Sequence, residues 1–178
     1  MTVKLEYKDL GLASFLKRVA EADVKAARVG VVGPKAQESS PRGTPYGVVA
    51  LINEFGSVDG HVPERSFIRA AARDRNLVAA AAVAASVAYF RLNTSLTDAL
   101  ARGAEPIVRE MRRLVATGVP PANAPETIRQ KGFDHPLFET GGLEAAISHQ
   151  VVRSGGDIVE SGASVEEFQA FEVTGGGE

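Results

Sequence analysis

The chain has 178 residues, of which 44% are hydrophobic and 24% are charged, and its formal net charge is −2. These values are ordinary for a globular protein, and the length is enough for one hydrophobic core. Cysteine is absent, which excludes disulfides, thiol catalysis and thiolate metal sites. Tryptophan is also absent and aromatic residues make up only 6%, so alanine, valine and leucine must fill the interior.

Charge is distributed unevenly along the chain. Residues 61–113 contain nine arginines and five acidic residues, whereas residues 154–178 contain six acidic residues and no basic one. A basic middle and an acidic end could pair between copies of the chain in an oligomer. The alternative is that both stretches are ordinary solvated surface.

The first part of the chain predicts short elements followed by a loop. Residues 3–7 alternate apolar and polar as in a strand, and residues 12–22 place apolar side chains at helical spacing. Residues 27–33 form a β-branched run that ends at Gly33-Pro34, which predicts a strand and then a turn. A polar loop over residues 35–45 follows, and we expect it to be mobile.

Helices are predicted through the middle of the chain. Thr44 as N-cap and Pro45 in the first turn indicate a helix that ends at Gly56. Ser66 can cap a long, Ala-rich helix over residues 66–92, whose most apolar run is too short to span a membrane. A second helix is expected over Leu96–Thr117. The buried side of the helix that ends at Gly56 is expected to consist of Val48, Val49, Leu51, Ile52 and Phe55.

Pro106 should kink the second helix or begin a new segment. Residues 119–142 contain four prolines and predict a long loop with a single helical turn near residues 127–130. Residues 146–153 and 157–160 alternate weakly and predict a hairpin.

These elements predict an α+β fold: a small, mostly antiparallel sheet packed against the long Ala-rich helix and a second helix, with long loops. Residues 1–160 would form a single domain. Residues 161–178 would be an acidic, Gly-rich and flexible tail.

No residue pattern in the chain is typical of an enzyme. Gly30 and Gly33 follow a strand, but the phosphate-loop spacing is missing and no helix is expected after them. His61, His135 and His149 lie in separate segments without metal-ligand spacing, and no GxSxG motif exposes a serine. We therefore predict no catalytic residue, no metal and no cofactor.

Two blocks of sequence carry a family resemblance. The first joins NEFG at residues 53–56 to VPERSFIR at residues 62–69, and the second, over residues 123–147, contains NAPETI, KG, PL, TGGL and AI in order. In order and spacing, the blocks resemble the signatures of tailed-bacteriophage head–tail joining proteins, a family of tail-completion, virion-morphogenesis and neck proteins. Gly142 stands where related chains often have arginine. The motif residues that we take as candidates for subunit interfaces are Phe55, Pro63, Arg65, Phe67, Arg69, Asn123, Pro125, Thr127, Lys131, Pro136, Leu137, Thr140 and Gly141.

Several motif residues also have a physical reading of their own. Arg65 offers a rigid fork of donors, and Phe67 can anchor a helix start in the core. Asn123 to Pro125 look like a cap and first turn, and Gly141 or Gly142 could use a positive φ. The alternative is that these residues only hold a monomer together.

The resemblance implies a structural virion protein and not an enzyme. Copies of the chain would form a ring, expected to be a hexamer, at the neck of the virion after assembly in the cytoplasm of the bacterial host. The partners would be head-side connector or adaptor proteins and tail terminator or tail-tube proteins, with no membrane. Double-stranded DNA would pass through the lumen without sequence readout. The alternatives are a tail terminator that caps the tail tube and, less favoured, a DNA-binding regulator that uses the arginine-rich helix faces.

Overall fold

A computed structural model describes residues 11–22, 25–91, 94–153 and 158–161. The predicted α+β class is confirmed. The strand predicted at residues 3–7, the hairpin turn and the tail beyond Ser161 lie outside the described residues. In chain order the elements are helix α1 (Leu12–Ala22), strand β1 (Lys25–Val31), a 3₁₀-helix (Pro34–Gln37), helices α2 (Tyr46–Phe55), α3 (Ile68–Arg73), α4 (Arg75–Phe90), α5 (Leu96–Thr117), α6 (Pro125–Lys131) and α7 (Gly142–Ala145), and strands β2 (Ile147–Arg153) and β3 (Ile158–Ser161).

The three strands form one antiparallel sheet in the order β1-β2-β3. The register of β1 and β2 runs from Lys25 opposite Arg153 to Val31 opposite Ile147. The central strand β2 is buried at every position except Arg153. The β2–β3 pair is antiparallel, as expected for the two predicted runs at residues 146–153 and 157–160.

Helix α5 lies at the centre of the fold. Its buried residues recur at three- and four-residue intervals, and it packs against β1, β2 and α4. The sheet therefore packs mainly against α5, while the Ala-rich α4 packs on α5. The helix continues through Pro106 without the new segment that we considered there, and it ends at Gly118 with a φ of 78°.

The long Ala-rich helix predicted over residues 66–92 is in fact two helices. Asp74 leaves the helical conformation between α3 and α4, with a φ of −72° and a ψ of 95°. Its carboxylate accepts hydrogen bonds from the backbone N–H groups of Asn76 and Leu77, both at 3.0 Å, and so caps α4. The predicted cap, Ser66, instead donates its hydroxyl hydrogen bond to Glu54. An aspartate inside the run breaks it because its side chain competes for helical N–H groups.

The buried side of α2 differs from the prediction. Its inward residues are Tyr46, Ala50 and Glu54, whereas Val48, Leu51 and Phe55 of the predicted stripe are exposed. The N-cap is Pro45 without a side-chain hydrogen bond, so Thr44 does not cap the helix; Gly56 does end it, with a φ of 77°.

Both predicted loops contain more structure than expected. A 3₁₀-helix begins at Pro34, where we expected no helix, and takes up residues 35–37 of the predicted loop. In the rest of that loop, an isolated bridge joins Ser39 to Pro45. In the proline-rich stretch, the predicted single turn is the seven-residue helix α6. Pro125 occupies its first turn after Ala124 as N-cap.

Candidate functional site

Glu54, at the end of α2, lies at the centre of the first sequence block. Its carboxylate accepts hydrogen bonds from the Ser66 hydroxyl at 2.7 Å and from the backbone N–H groups of Ile68 and Arg69, both at 2.9 Å. The Arg69 guanidinium donates a fourth, at 2.9 Å. Because the first N–H groups of α3 have no partner within their own helix, Glu54 caps α3 from another element. We name these four residues the Glu54 junction.

The junction keeps a buried carboxylate ionised. Burial raises the pKa of Glu54, but the hydrogen bonds from Ser66, Arg69 and Ile68 together outweigh it, so the pKa lies below its ordinary value of 4.5. In the sequence, Glu54 had no predicted role beyond its place in the NEFG motif. The signal for its true role was present, since the first turn of α3 contains no acidic residue of its own.

Arg69 extends the junction to the surface. Its guanidinium forms an ion pair with Glu64 at 2.9 Å and donates to the backbone carbonyl of Glu54. It also lies over the ring of Phe55, at 4.8 Å from the centroid. Phe55, expected on the buried side of α2, is therefore a 61% exposed ring that packs beneath an arginine.

Arg65 joins the two sequence blocks. Its side chain is buried, and it donates from Nε to the carbonyl of Pro121 at 2.8 Å and from Nη2 to that of Ala122 at 2.9 Å. Its backbone N–H donates to the carbonyl of Asn53 at 2.6 Å. Burial lowers the pKa of Arg65, and the charge of Asp134 acts in the opposite direction. The fork of donors predicted at Arg65 thus binds the two backbone carbonyls that immediately precede the second block.

The second block folds around α6. Asn123 does not cap this helix with its side chain; its backbone N–H donates to the Asp134 carboxylate at 3.0 Å. Lys131, in the last turn, donates to the carbonyl of His135 at 2.6 Å and lies 5.0 Å from the centroid of the Phe133 ring. Burial lowers the pKa of Lys131.

The chain then turns sharply into α7. Leu137 has a φ of 66°, and Gly141 has a φ of 80°, as expected for one of the two glycines. Gly142 lies against Tyr46, whose hydroxyl oxygen would be 1.8 Å from an added Cβ. Glycine at this position thus leaves room for the buried tyrosine of α2.

A cleft of about 290 Å³ lies between the two sequence blocks and the loop that follows the 3₁₀-helix. We name it the inter-block cleft. The candidate residues that line it are Pro63, Arg65, Asn123, Thr127, Lys131, Leu137 and Thr140. The remaining candidates, Phe55, Phe67, Arg69, Pro125, Pro136 and Gly141, are not among its lining residues.

For two of the candidates outside the cleft, the structure shows which residues they pack against. Phe67 is fully buried in the main core, in the same cluster as Val108 and Ile147, which agrees with the anchor predicted for it. Pro136 lies beside Gly118 at the end of α5, where an added Cβ would be 3.5 Å from the proline ring. These residues hold the motif in place without facing the cleft.

The cleft is rich in hydrogen-bond donors. Arg42 lies at its rim in an ion pair with Glu139 at 3.4 Å. In the part of the chain that the structure describes, neither Arg65 nor Lys131 forms an ion pair with a carboxylate. Two other lining residues, Ser40 and Asn123, each have a buried side-chain atom (Oγ and Nδ2) without a hydrogen-bond partner among the described residues. Such a lining suits a carboxylate.

Four of the nine arginines in residues 61–113, which suggested a nucleic-acid surface, are bonded within the chain. Arg69 pairs with Glu54 and Glu64, and Arg113 pairs with Glu110 at 2.7 Å. Arg112, like Arg65, binds a carbonyl, that of Ile147 at 2.7 Å, and burial lowers its pKa. Of these four arginines, two therefore pair with acidic side chains and two bind backbone carbonyls.

Helix α4 has an unusual surface. From Asn76 to Phe90 it contains no charged residue, although Val83, Val87 and Phe90 on successive turns are exposed. Helix α1 adds exposed apolar residues beside it, because the ring of Phe15 lies 5.3 Å from that of Phe90. We name the set consisting of Phe15, Leu16, Val19, Val83, Val87 and Phe90 the α1/α4 apolar face.

The comparison with known proteins is negative. No family model, curated protein or solved structure matches the chain. Over the described residues, no helix is long and apolar enough to cross a membrane. Over the same residues, no group of histidine, aspartate and glutamate side chains could hold a metal ion. Function is therefore inferred from the two blocks, the cleft and the exposed faces.

Proposed function

We propose that this chain is a structural subunit of a closed ring at the neck of a tailed bacteriophage, a head–tail joining or tail-completion protein. The resemblance of the two sequence blocks suggests the family. The observation that best supports self-association is that the exposed side of α4 has no charged residue. The ring, expected to be a hexamer, would contact connector or adaptor proteins on one side and tail terminator or tail-tube proteins on the other. Double-stranded DNA would pass through its lumen without being read.

The surface of α4 is poorly suited to remain in water. A solvated helix side normally carries lysine, glutamate or arginine, but α4 has only Arg75, at its first position. Contiguous exposed apolar patches mark sites of association. Alanine is the best helix former, which stabilises α4 as a helix. Its small side chain also allows another backbone to approach closely, so α4 can associate with a second subunit.

A closed ring requires two different complementary patches on each subunit. The α1/α4 apolar face supplies one. Helix α2 supplies a second, because Val48, Leu51 and Phe55 are exposed and are spaced three and four residues apart. The Glu54 junction holds the end of this helix in place, so the second patch is presented on a fixed support.

The test is the mass of the purified chain by light scattering, with and without Val83→Glu. We expect the unmodified chain to form a discrete oligomer and the variant to run near the monomer mass of 18.7 kDa. A buried glutamate at an apolar interface is strongly unfavourable. Ala116→Glu, in the last turn of α5, adds the same charge at another exposed position and should leave the oligomer intact.

An unmodified chain that remains monomeric, alone and with connector and tail-tube proteins, would overturn the ring. Tight duplex binding that weakens steeply with salt would instead favour the DNA-binding regulator. A ring that binds only the end of a tail tube would identify a tail terminator.

A further inference from the structure

We propose that the inter-block cleft binds residues 165–173 of a second copy of this chain. This inference rests on the proposed ring, because it requires a second copy beside the first. Residues 165–173 read VEEFQAFEV and combine three glutamates with two phenylalanines. They lie outside the described residues, so the argument uses only their sequence and the geometry of the cleft.

Two residues that line the cleft contain polar side-chain atoms without a hydrogen-bond partner in the described part of the chain. Ser40 Oγ and Asn123 Nδ2 are both buried and both lack a hydrogen-bond partner among the described residues. A buried polar group without a partner costs free energy, and most native groups of this kind are bonded. Hydroxyl and amide hydrogens are satisfied by carboxylate oxygens, which only accept hydrogen bonds.

The cleft also contains positive charge that the described residues do not neutralise at close range. Arg65 is 5% exposed and uses two of its donors on neutral carbonyls. The half-buried Lys131 likewise donates to the carbonyl of His135. A confined cation is stabilised by an opposite charge that reaches it, so the cleft favours an anionic ligand. At the rim, Arg42 and Glu139 pair with each other at 3.4 Å, so among the described residues the unpaired positive charge of the cleft is that of Arg65 and Lys131.

The apolar part of the cleft wall favours an acidic peptide over a small carboxylate as the ligand. Apolar side chains form part of the cleft wall, so a ligand that presents only charge would leave them exposed. Residues 165–173 place Phe168 and Phe171 between Glu167 and Glu172, and so offer both kinds of group within one short segment. The apolar lining residues include Val49, Ile52, Val62, Leu137 and Phe138.

The length of chain after the sheet permits the contact. Strand β3 ends at Ser161, and the eight residues from there to Gln169 can extend by roughly 26–29 Å. A domain of this size has a radius of gyration of roughly 16 Å. The segment can therefore cross from one subunit to a neighbour in a ring.

Photo-crosslinking in the full-length chain tests the proposal. A photoreactive phenylalanine analogue replaces Thr140, an exposed residue that lines the cleft. Equal amounts of ordinary and ¹⁵N-labelled chain are mixed, irradiated and digested. We expect crosslinks from position 140 to residues 165–173, with pairs of mixed isotope content that prove contact between two copies. The same analogue at Gln130, exposed on α6 outside the cleft lining, should not give them.

Two triple variants show whether the glutamates are responsible. Glu166→Gln with Glu167→Gln and Glu172→Gln should lower the crosslink yield at least about tenfold. Asp157→Asn with Glu160→Gln and Glu178→Gln removes the same amount of charge outside the segment, and should change the yield by less than about twofold. Equal losses in the two variants, or no loss in either, would overturn the proposal.

The remaining outcomes separate this inference from the ring itself. Crosslinks within single chains only, or none to residues 165–173, would overturn the inference. Light scattering on the same samples reports the ring independently. A discrete oligomer without the crosslink would therefore leave the proposed function standing, whereas a monomer would remove both.

Discussion

The Glu54 junction and the α1/α4 apolar face use charge in opposite ways. The junction buries a carboxylate, 3% exposed as a residue, inside the chain. The α4 part of the apolar face exposes aliphatic side chains, with Val83 at 61%, and has no charged residue beside them from Asn76 onward. The difference indicates two tasks. Charges that are fully bonded inside the chain fix its own segments, and uncharged surface is available to another chain.

The energetics of the two regions also differ. A buried charge is tolerated only when its hydrogen bonds are complete, and Glu54 has four. Removing one partner therefore costs far more than the interaction itself contributes. An exposed valine on α4 contributes little to the fold, because it remains in water. Substitutions in the two regions should thus separate stability from assembly.

The largest effect on stability is expected for Glu54→Gln. The change removes the buried counter-charge of Arg69, and it places an amide N–H₂ group where it faces other hydrogen-bond donors. The free energy of unfolding should therefore fall by about 3 kcal/mol. Urea denaturation measures it. Glu64→Gln is the matched control, since Glu64 contacts the same guanidinium at the surface, and it should cost less than about 1 kcal/mol. Equal costs would contradict the role of burial.

The same junction predicts a dependence on pH. The pKa of Glu54 in the folded chain lies below the ordinary value of 4.5 that the unfolded chain should show. The stabilisation of the folded chain by ionised Glu54 is therefore complete well above pH 4.5, and it is lost as the pH falls through the pKa of Glu54 in the folded chain. The stability difference between the unmodified chain and Glu54→Gln should shrink in acid. A difference that stays constant from about pH 7 to about pH 3 would refute the assignment.

A smaller loss is expected for Gly103→Ala, at the contact of α4 with α5. An added Cβ would lie 2.7 Å from Ala85 Cβ and 2.9 Å from the Ala81 carbonyl, so the helices must separate. We expect a net loss of about 1–2 kcal/mol in unfolding free energy, despite a gain of up to about 1 kcal/mol in helix propensity. Gly47→Ala in α2 has the same propensity gain but a nearest contact of 3.3 Å, to the Ala36 carbonyl. Urea denaturation should rank it well above Gly103→Ala in stability.

The smallest effect on the fold is expected for Val83→Glu. At concentrations where the unmodified chain is monomeric, the unfolding free energies should agree within about 0.5 kcal/mol. At higher concentrations only the unmodified chain should gain stability, because association stabilises the folded state by mass action. Thermal unfolding across a concentration series measures both. A large loss in the monomer would mean that α4 is part of the core on this side.

The sequence predicted well those elements whose pattern is local. Helices α1 and α5 were predicted with the bounds that the structure shows, because their apolar residues recur at helical spacing and Gly118 marks the end of α5. Strands β1 and β2 followed from β-branched and alternating runs. In each case one amphipathic pattern and one end signal were sufficient.

Prediction failed where a polar side chain overrode the apolar pattern. The predicted apolar stripe of α2 is divided, because Val48, Leu51 and Phe55 are exposed whereas Val49 and Ile52 are half-buried. Glu54 takes an inner position instead, and hydrophobic periodicity does not predict a buried glutamate in place of a valine. The long helix predicted over residues 66–92 is divided at Asp74, a residue that reads as an ordinary helix surface position. Both errors have one source: hydrogen bonds from side chain to backbone, which composition does not reveal.

By itself, the sequence determined the α+β class, the absence of thiol chemistry, the central helix and the two blocks that suggest a neck protein. Only the tertiary structure decided that these blocks share one cleft, that Arg65 bridges them through carbonyls 56 and 57 residues away, and that Glu54 caps a helix it does not belong to. Local pattern depends on neighbours in the chain. The partners of a buried charge are chosen by the packing of distant segments, which no local pattern contains.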